Sequence, residues 1–582
     1  MAISDVESSR SAALAVKSGR RRTSRTGGTL AVALALLLLV PVVVLPLGFV
    51  VYGALQSPNA FGTFSFDFDL AAVTRVYTSG PFLRSLVGTL LMGGAIAALS
   101  VAIGTLYAWV ICRTNIPMRR TLDAVVITPL FLSPFVGAFS WLLLASPRSG
   151  MLNSFVQTYI YDIVLFDISG LHGTIFVLTL YYIPYAYLFL KPAFLKMDAS
   201  LEDASYIAGA GAWRTATRIV FPVLRPALAA AFLFIMILTT EIFSVPAVLG
   251  TSGLFVPLAV RVQRAVEVDP VNYALAAAVG TMVMLVCAIG LYFYRRATQE
   301  ARRFVTVTGK ATRPRRLDLG PARWVAAALC IGYGLVAVVL PYSGLIITSL
   351  SPYAITDVSR LQLSWVNFAA VLQSAAVRQA VYNTLVMSLT VATCCIALGV
   401  VLAFLATRSK APGAKLLDYV ATMPIAVPGV VFGVGVVWLL VRSPLYNTLW
   451  IMVLAFVVLY LPFCFRLASN ALIQIDPALE EASAVNGASR SRTLARISAP
   501  LARSALLSGW TMAFIFSARE LSAAIILYGP TTRVLSVMTW DYVNFGNMQS
   551  AAVVGVLQTA FLVAAVLVAN LLFRVRLTEA RA

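Results

Sequence analysis

Apolar residues fill the chain in long runs separated by short polar stretches. Twelve runs are long enough to cross about 30 Å of hydrocarbon. They cover residues 29–55, 85–111, 124–146, 173–195, 226–249, 273–294, 324–350, 381–407, 418–441, 449–470, 504–528 and 548–573. In a bilayer every backbone N–H and C=O must be satisfied internally, so only helices or closed barrels span it. Runs of this length are helical. The pattern predicts an all-α polytopic membrane protein with about twelve transmembrane helices.

Composition removes the main alternatives. Of 582 residues, 60% are hydrophobic and 12% charged, against about 25% charged in a soluble domain. Mean hydropathy is +0.88. A disordered chain, a disulfide scaffold and an ordinary cytosolic enzyme are excluded. Cys112, Cys287, Cys330, Cys394, Cys395 and Cys464 lie in or beside apolar runs and form no C-x-x-C pair, so a disulfide framework is not expected. The single histidine, His172, has no cysteine near it and anchors no zinc site.

The net charge of +21 is a topology signal and not a nucleic-acid footprint. Arg20, Arg21, Arg22 and Arg25 precede the first apolar run, which is too long for a signal peptide and reads as a retained span. The largest basic cluster runs from Arg295 to Arg323 and includes Arg302, Arg303, Lys310, Arg313, Arg315 and Arg316; the tail adds Arg574, Arg576 and Arg581. The bias predicts that both termini are cytoplasmic. Residues 296–322 read as a solvated linker between two halves, with contact to anionic head groups as the other reading.

The chain repeats itself. Residues 201–222 read LEDASYIAGAGAWRTATRIVFP and residues 479–500 read LEEASAVNGASRSRTLARISAP. An offset of 278 carries Glu202 to Glu480, Ser205 to Ser483, Gly209 to Gly487 and Pro222 to Pro500, and also Tyr182 to Tyr460 and Asp198 to Asp476. Upstream, an offset of 295 carries Thr89 to Thr384, Gly104 to Gly399, Arg113 to Arg408 and Asp123 to Asp418. The first half thus has 17 extra residues, mostly in the loop 147–172. Two six-span halves of equal orientation make a parallel duplication. The divisions expected are 1–84 (basic N-terminus, first span and outside segment), 85–292 (first transmembrane domain), 293–379 (linker, seventh span and outside segment), 380–573 (second transmembrane domain) and 574–582 (tail).

Each repeated stretch is polar, helix-forming and placed between spans. Glu202 and Asp203 sit near a helix start, where acids suit the helix dipole. Ala204 and Ser205 are small enough for close contact, and Gly209 allows a turn. A second short helix, about Trp213 to Val220, carries Arg214 and Arg218 and is expected to end at Pro222. The result is an L-shaped element lying below the membrane.

These residues resemble the E-A-A…G…I-x-x-P cytoplasmic loop of permease subunits of binding-protein-dependent ABC importers. The fusion of two such domains is similar to the ferric-iron permease group, with thiamine and aminoethylphosphonate permeases as relatives. The resemblance implies that Glu202, Asp203, Ala204, Gly209 and Pro222 form one ATPase-coupling loop, and Glu480, Glu481, Ala482, Gly487 and Pro500 the other. Asp203, Ser205 and Ser483 are mild departures from the family pattern. It also implies two ATPase subunits that hold the ATP, a periplasmic or lipid-anchored binding protein, one copy of this chain per complex, and the bacterial inner membrane. No cofactor is expected on this chain. It has no phosphate-binding G-x-x-x-x-G-K-[ST]; the nearest fragment, Gly309-Lys310-Ala311, lacks the first glycine and the Ser/Thr.

Charges inside spans are costly and face a cavity or a partner. Glu241, Arg519 and Glu520 are the candidates for the translocation path, and the repeat maps Glu241 to Arg519 or, one step on, to Glu520. An interhelical ion pair is the competing reading. Pro129, Pro134, Pro424 and Pro428 interrupt spans three and nine, as packing features or gates. Gly429 and Gly433 suit close helix packing. Tyr181, Tyr182, Tyr185 and Tyr187 are expected to form an interfacial aromatic belt. The function these features predict is the pore of an ATP-driven importer, with ferric iron first and thiamine, aminoethylphosphonate, polyamine or another small solute behind it. An ion-gradient-driven secondary transporter is the rival of another class, and the paired loops disfavour it.

Overall fold

The computed structural model describes residues 29–57, 61, 66, 68–250, 256–267, 269–303, 317–354, 359, 361–409 and 411–573. The arginines at 20–25, the basic stretch 310–316 with its Gly309-Lys310-Ala311 fragment, and the tail arginines at 574–581 lie outside the described residues.

Among the described residues there is no strand ladder, only an isolated bridge between Thr114 and Leu317. Among the described residues, nine helices are long and apolar enough to cross a membrane: Thr29–Ala54, Gly80–Arg113, Gly170–Leu195, Ala216–Glu241, Tyr273–Thr298, Ala322–Leu350, Ala375–Arg408, Leu449–Ile473 and Met548–Val568. Three bent pairs pass the same length and composition test together, Arg119–Phe131 with Pro134–Ala145 (95°), Ala414–Ile425 with Gly429–Leu440 (108°), and Ser491–Leu501 with Arg503–Ala518 (83°). Counting each pair once gives twelve.

Four expected runs therefore change shape, the eleventh (504–528) because its helix stops at Ala518 and Ala524–Leu527 stands apart. Runs 124–146 and 418–441 break where prolines withhold an N–H from the ladder. The fifth starts earlier than expected, at Ala216, and stops at Glu241, with Ser244–Leu249 as a separate short helix. Pro222 does not end a helix. A π-turn at Ala216–Val220 leads straight into Phe221–Glu241, and Pro222 occupies the first turn of that helix, where its missing N–H costs nothing.

Within each half, the long second helix packs on the fourth through the repeated glycines. A Cβ on Gly104 would strike Ala186 and the Tyr187 backbone, and one on Gly399 would strike the backbone at Cys464 and Phe465. Lipid is as apolar as leucine, so such close backbone approach, and not hydrophobicity, holds helices together here. The halves also share polar ties at equivalent places. Leu258 N donates to Thr89 Oγ1 at 3.0 Å, and Leu535 N donates to Thr384 Oγ1 at 2.9 Å.

The first helix of each half reaches across to the other half, although Leu340–Leu350 also packs on Met548–Phe573 of its own half. Thr29–Ala54 lies on the second half, where Tyr52 meets Trp438 edge to face with ring centroids 6.0 Å apart. Ala322–Leu350 lies on the first half, where the Tyr333 hydroxyl donates to Leu180 O at 2.7 Å. The return is anchored just after the linker: Leu317 N donates to Arg113 O at 2.7 Å and Leu319 N to Asn115 Oδ1 at 3.1 Å. The backbone N–H of Gly320, then the Asn115 amide, hold the Asp318 carboxyl below its usual range. The largest buried cluster draws on both halves and includes Val50, Phe135, Ala277, Val430, Trp438 and Ala551.

Candidate functional site

Two places bring the candidate residues together: the paired L-shaped elements at one end of the molecule, and a cavity at the seam between the halves.

The L-shaped elements are Ala199–Ile207 followed by Ala212–Thr215, and Pro477–Val485 followed by Arg490–Thr493. Asp198 and Asp476 start them, accepting from Ser200 N and Ala478 N at 2.9 Å each. Gly209 (φ +76°) and Gly487 (φ +81°) make the corners in the left-handed region. A hydroxyl staple closes each corner, Ser205 to Thr215 at 2.8 Å and Ser483 to Thr493 at 2.9 Å. The serines that depart from the family pattern are thus the staple's first members.

Each element is latched to the long helix of its own half. Arg113, 2% exposed, donates from Nη2 to Glu202 Oε1. Arg408 Nε lies 3.1 Å from Glu480 Oε2, and its Nη2 donates to Leu472 O (2.7 Å) and Ile475 O (2.8 Å). Ser498 Oγ donates to Glu480 Oε1 at 2.9 Å, an addition in the second half alone, since residue 220 is valine. The two glutamates are therefore half-buried and face inward. The outward surface is aliphatic: Ile207 is 88% exposed and its counterpart Val485 84%. Asp203, Ala204, Glu481 and Ala482 lie on the same short helices, with Ala204 exposed. The latching arginines were visible in the sequence as a matched pair, but spacing alone gave them no role.

The seam cavity measures about 170 Å³. One water needs about 10–15 Å³ of such space, so the cavity has room for several. Pro129, Tyr182 and Glu241 line it from the first half, and Pro424, Tyr460 and Glu520 from the second. Glu241 is the last residue of its helix, and among the described residues its carboxylate has no hydrogen-bond or ion-pair partner. Glu520 is partnered: Tyr460 donates to Oε2 at 2.7 Å and Ala523 N to Oε1 at 3.1 Å.

Arg519 also borders the cavity, but its charge is engaged. Nη1 donates to Leu130 O at 2.6 Å and to Leu132 O, and the guanidinium lies 4.9 Å from the Phe516 ring centroid. Those carbonyls are left free where the Arg119–Phe131 helix breaks. Arg519 thus ties the second half to the first, and Glu520 is the cavity counterpart of Glu241. The tyrosine expectation is corrected. Tyr181, Tyr182 and Tyr185 line the cavity, and Tyr187 is buried and donates to Asp123, so none forms an interfacial belt. All four fall within about two turns of one helix around Pro184, with Tyr181, Tyr182 and Tyr185 on the side facing the seam. The Gly429 and Gly433 positions pack against Ala523 and Ile526, beside Glu520.

On the side of the cavity away from the L-shaped elements, Trp540 contacts Phe135 and Phe243, with ring centroids 6.0 and 5.5 Å away. Its Nε1 donates to Glu267 Oε1 of the first half at 3.4 Å. Next to it, Arg533 pairs with Asp541 at 3.3 Å. Burial, and then the charge of Glu267, push the Asp541 carboxyl above its usual range against the pull of Arg533. No sequence signal marked this group, because its members come from stretches outside the repeat's matched positions.

The family model of the binding-protein-dependent transport system inner membrane component matches the chain twice, at residues 100–303 and 395–577. A putative ferric transport system permease protein, FbpB 1, of Haemophilus influenzae is 27% identical over 507 residues, covering 84% of this chain and 77% of that one. The ferric transport system permease protein FbpB of Actinobacillus pleuropneumoniae is 27% identical over 85% of this chain and 72% of its own. A putative 2-aminoethylphosphonate permease, PhnV, of Salmonella typhimurium is 28% identical but covers 32% of this chain. A solved bacterial ABC transporter that imports alginate aligns with 44% of this chain and 96% of its own at 21% identity and a TM-score of 0.37.

Proposed function

Because the chain belongs to the binding-protein-dependent transport system inner membrane component family, and carries its domain twice, we propose that it forms the path by which ferric iron, delivered by a binding protein, crosses the membrane. As a family member it is the permease of an ABC importer, a transport component and not an enzyme, and a multi-pass protein of the bacterial inner membrane.

The observation that carries the iron reading is the seam cavity. Carboxylate and phenol oxygens from both halves converge there, and Glu241 has no described partner. Oxygen donors of this kind suit a hard cation. The full-length likeness to ferric permeases supports the same substrate. In this reading Tyr182, Glu241, Tyr460 and Glu520 relay the cation between the halves, while Arg519 positions the broken helix that floors the path.

The coupling residues act at a distance from the cavity. Ile207 and Val485, on equivalent exposed faces, suit the clefts of two ATPase subunits that hold the ATP. The Arg113–Glu202 and Arg408–Glu480 latches transmit their movement to the long helices. In this reading the loops and both termini lie in the cytoplasm, with one copy of the chain per complex.

The test is uptake of radiolabelled ferric iron by iron-starved cells at matched expression. Glu241→Gln is expected to reduce uptake more than tenfold, and Gly209→Glu/Gly487→Glu to abolish it. Full uptake without the gene removes iron, and thiamine or phosphonate is then the substrate to assay. Full uptake with Glu241→Gln removes the cavity reading. Uptake that survives loss of the ATPase revives the ion-gradient mechanism.

A further inference from the structure

At the end of the second half that carries its L-shaped element, the pair Ser491–Leu501 and Arg503–Ala518 turns through 83°. This elbow stands off from Ala375–Arg408 and leaves an apolar groove of about 400 Å³, open along one side. Ile396, Val400, Leu494, Ala499, Leu506 and Trp510 line it. The indole closes the far end, fixed by its Nε1 donating to Thr393 Oγ1 at 3.2 Å.

Arg492, Arg496 and Arg503 are exposed around the elbow. None of their side chains has a hydrogen-bond or ion-pair partner among the described residues. Arg496 is one helical turn from Ala499, and Arg503 one turn from Leu506 and Leu507, which line the groove. We propose that the elbow binds one anionic phospholipid, with an acyl chain in the groove and the phosphate between Arg496 and Arg503.

The charge and the groove have separate jobs. In a bilayer an acyl chain gains little by exchanging lipid neighbours for leucines, so the groove alone selects nothing. Basic side chains at the surface select an anionic head group. The groove decides where that lipid stays.

The repeat supplies an internal control. Arg214, Arg218 and Arg225 stand at the equivalent positions of the first half and are exposed too. There the helix Ala216–Glu241 runs on unbroken, and Phe221 occupies the place of Ala499. If the arginines serve only membrane topology or a protein partner, the two sets behave alike. A lipid site sets them apart.

The experiment uses the full chain purified in mild detergent, with phosphatidylglycerol or phosphatidylcholine added and retained lipid counted by native mass spectrometry. Wild type is expected to keep one phosphatidylglycerol with a preference of about fivefold or more. Arg496→Ala/Arg503→Ala and Ala499→Phe are each expected to erase that preference, and Arg218→Ala/Arg225→Ala to leave it. Ala499→Phe installs the residue the first half already carries, and a monodisperse elution profile checks that it folds. Equal retention of the two lipids by wild type overturns the proposal. So does an undiminished preference in Ala499→Phe, or equal loss from both arginine pairs. If the Arg496→Ala/Arg503→Ala variant sheds a protein subunit and keeps its lipid, the face belongs to that subunit and the proposal fails.

Discussion

The two glutamate latches look alike in sequence but are not equally dependent on their carboxylates. Arg113 is 2% exposed, and its Nε and Nη1 have no hydrogen-bond partner among the described residues, so Glu202 is its one described acceptor. Truncation by Glu202→Ala leaves a buried, uncompensated guanidinium, at a cost of about 3–5 kcal/mol. Arg408 is 17% exposed and keeps the carbonyls of Leu472 and Ile475 when its carboxylate goes. Glu480→Ala therefore costs about 1–2 kcal/mol. The assay is amide hydrogen exchange in the short helices, which reads local opening without requiring two-state unfolding of the whole chain. Protection in 199–207 is expected to fall by about a hundredfold or more in Glu202→Ala. Protection in 477–485 is expected to fall by about 5- to 30-fold in Glu480→Ala. The double variant Arg113→Met/Glu202→Ala has no stranded charge and is expected to recover most of the loss. Equal effects in the two single variants, or no recovery in the double, would refute the reasoning.

Three more outcomes follow from the geometry. Gly487→Ala places a Cβ in open space but at φ +81°, so it is expected to cost about 1–2 kcal/mol from backbone strain alone; Gly487→Asn costs less, and hydrogen exchange across 477–493 measures both. Arg519→Leu strips a charge-assisted donor from Leu130 O and Leu132 O, at about 3 kcal/mol, read as a lower unfolding temperature of the purified chain. The Asp541 carboxyl is raised from 3.8, so the stability it contributes is full below that value and is lost as pH rises through its higher folded value. Asp541→Asn is expected to flatten that decline in a thermal-melting series, and an unchanged slope counts against the assignment.

Much of the architecture was legible because hydropathy and repetition both survive in a single sequence. Twelve apolar runs, two halves and two L-shaped elements can be counted from residues alone. What the sequence hid was direction. Apolar runs do not state whether they are straight; Pro129 and Pro424 marked interruptions in spans three and nine, but not that Leu130 O and Leu132 O, freed at the first break, take Arg519. The offset of 278 could not choose between Arg519 and Glu520, because the helix in the second half ends at Ala518 and the chain turns before reaching the cavity. Tyr181 and its neighbours read as an interfacial belt because aromatic clusters at a span end usually are one. Their burial depends on helices distant in sequence, Tyr181 lying on Gly137 and Tyr187 on Asp123, which no local pattern records.

The exchanged first helices set a timetable for synthesis. Thr29–Ala54 is made well before the surface it meets, Gly429–Leu440. At about 5–20 residues per second, the interval is roughly 20–75 s. For that time a bare apolar helix waits in the bilayer, open to the membrane's quality-control proteases and to pairing with another nascent chain. Fusing the halves shortens the search that ends the wait: the awaited surface is already tethered to the helix that needs it. Two separate polypeptides would have to find each other by lateral diffusion, at a rate set by how many copies the membrane holds.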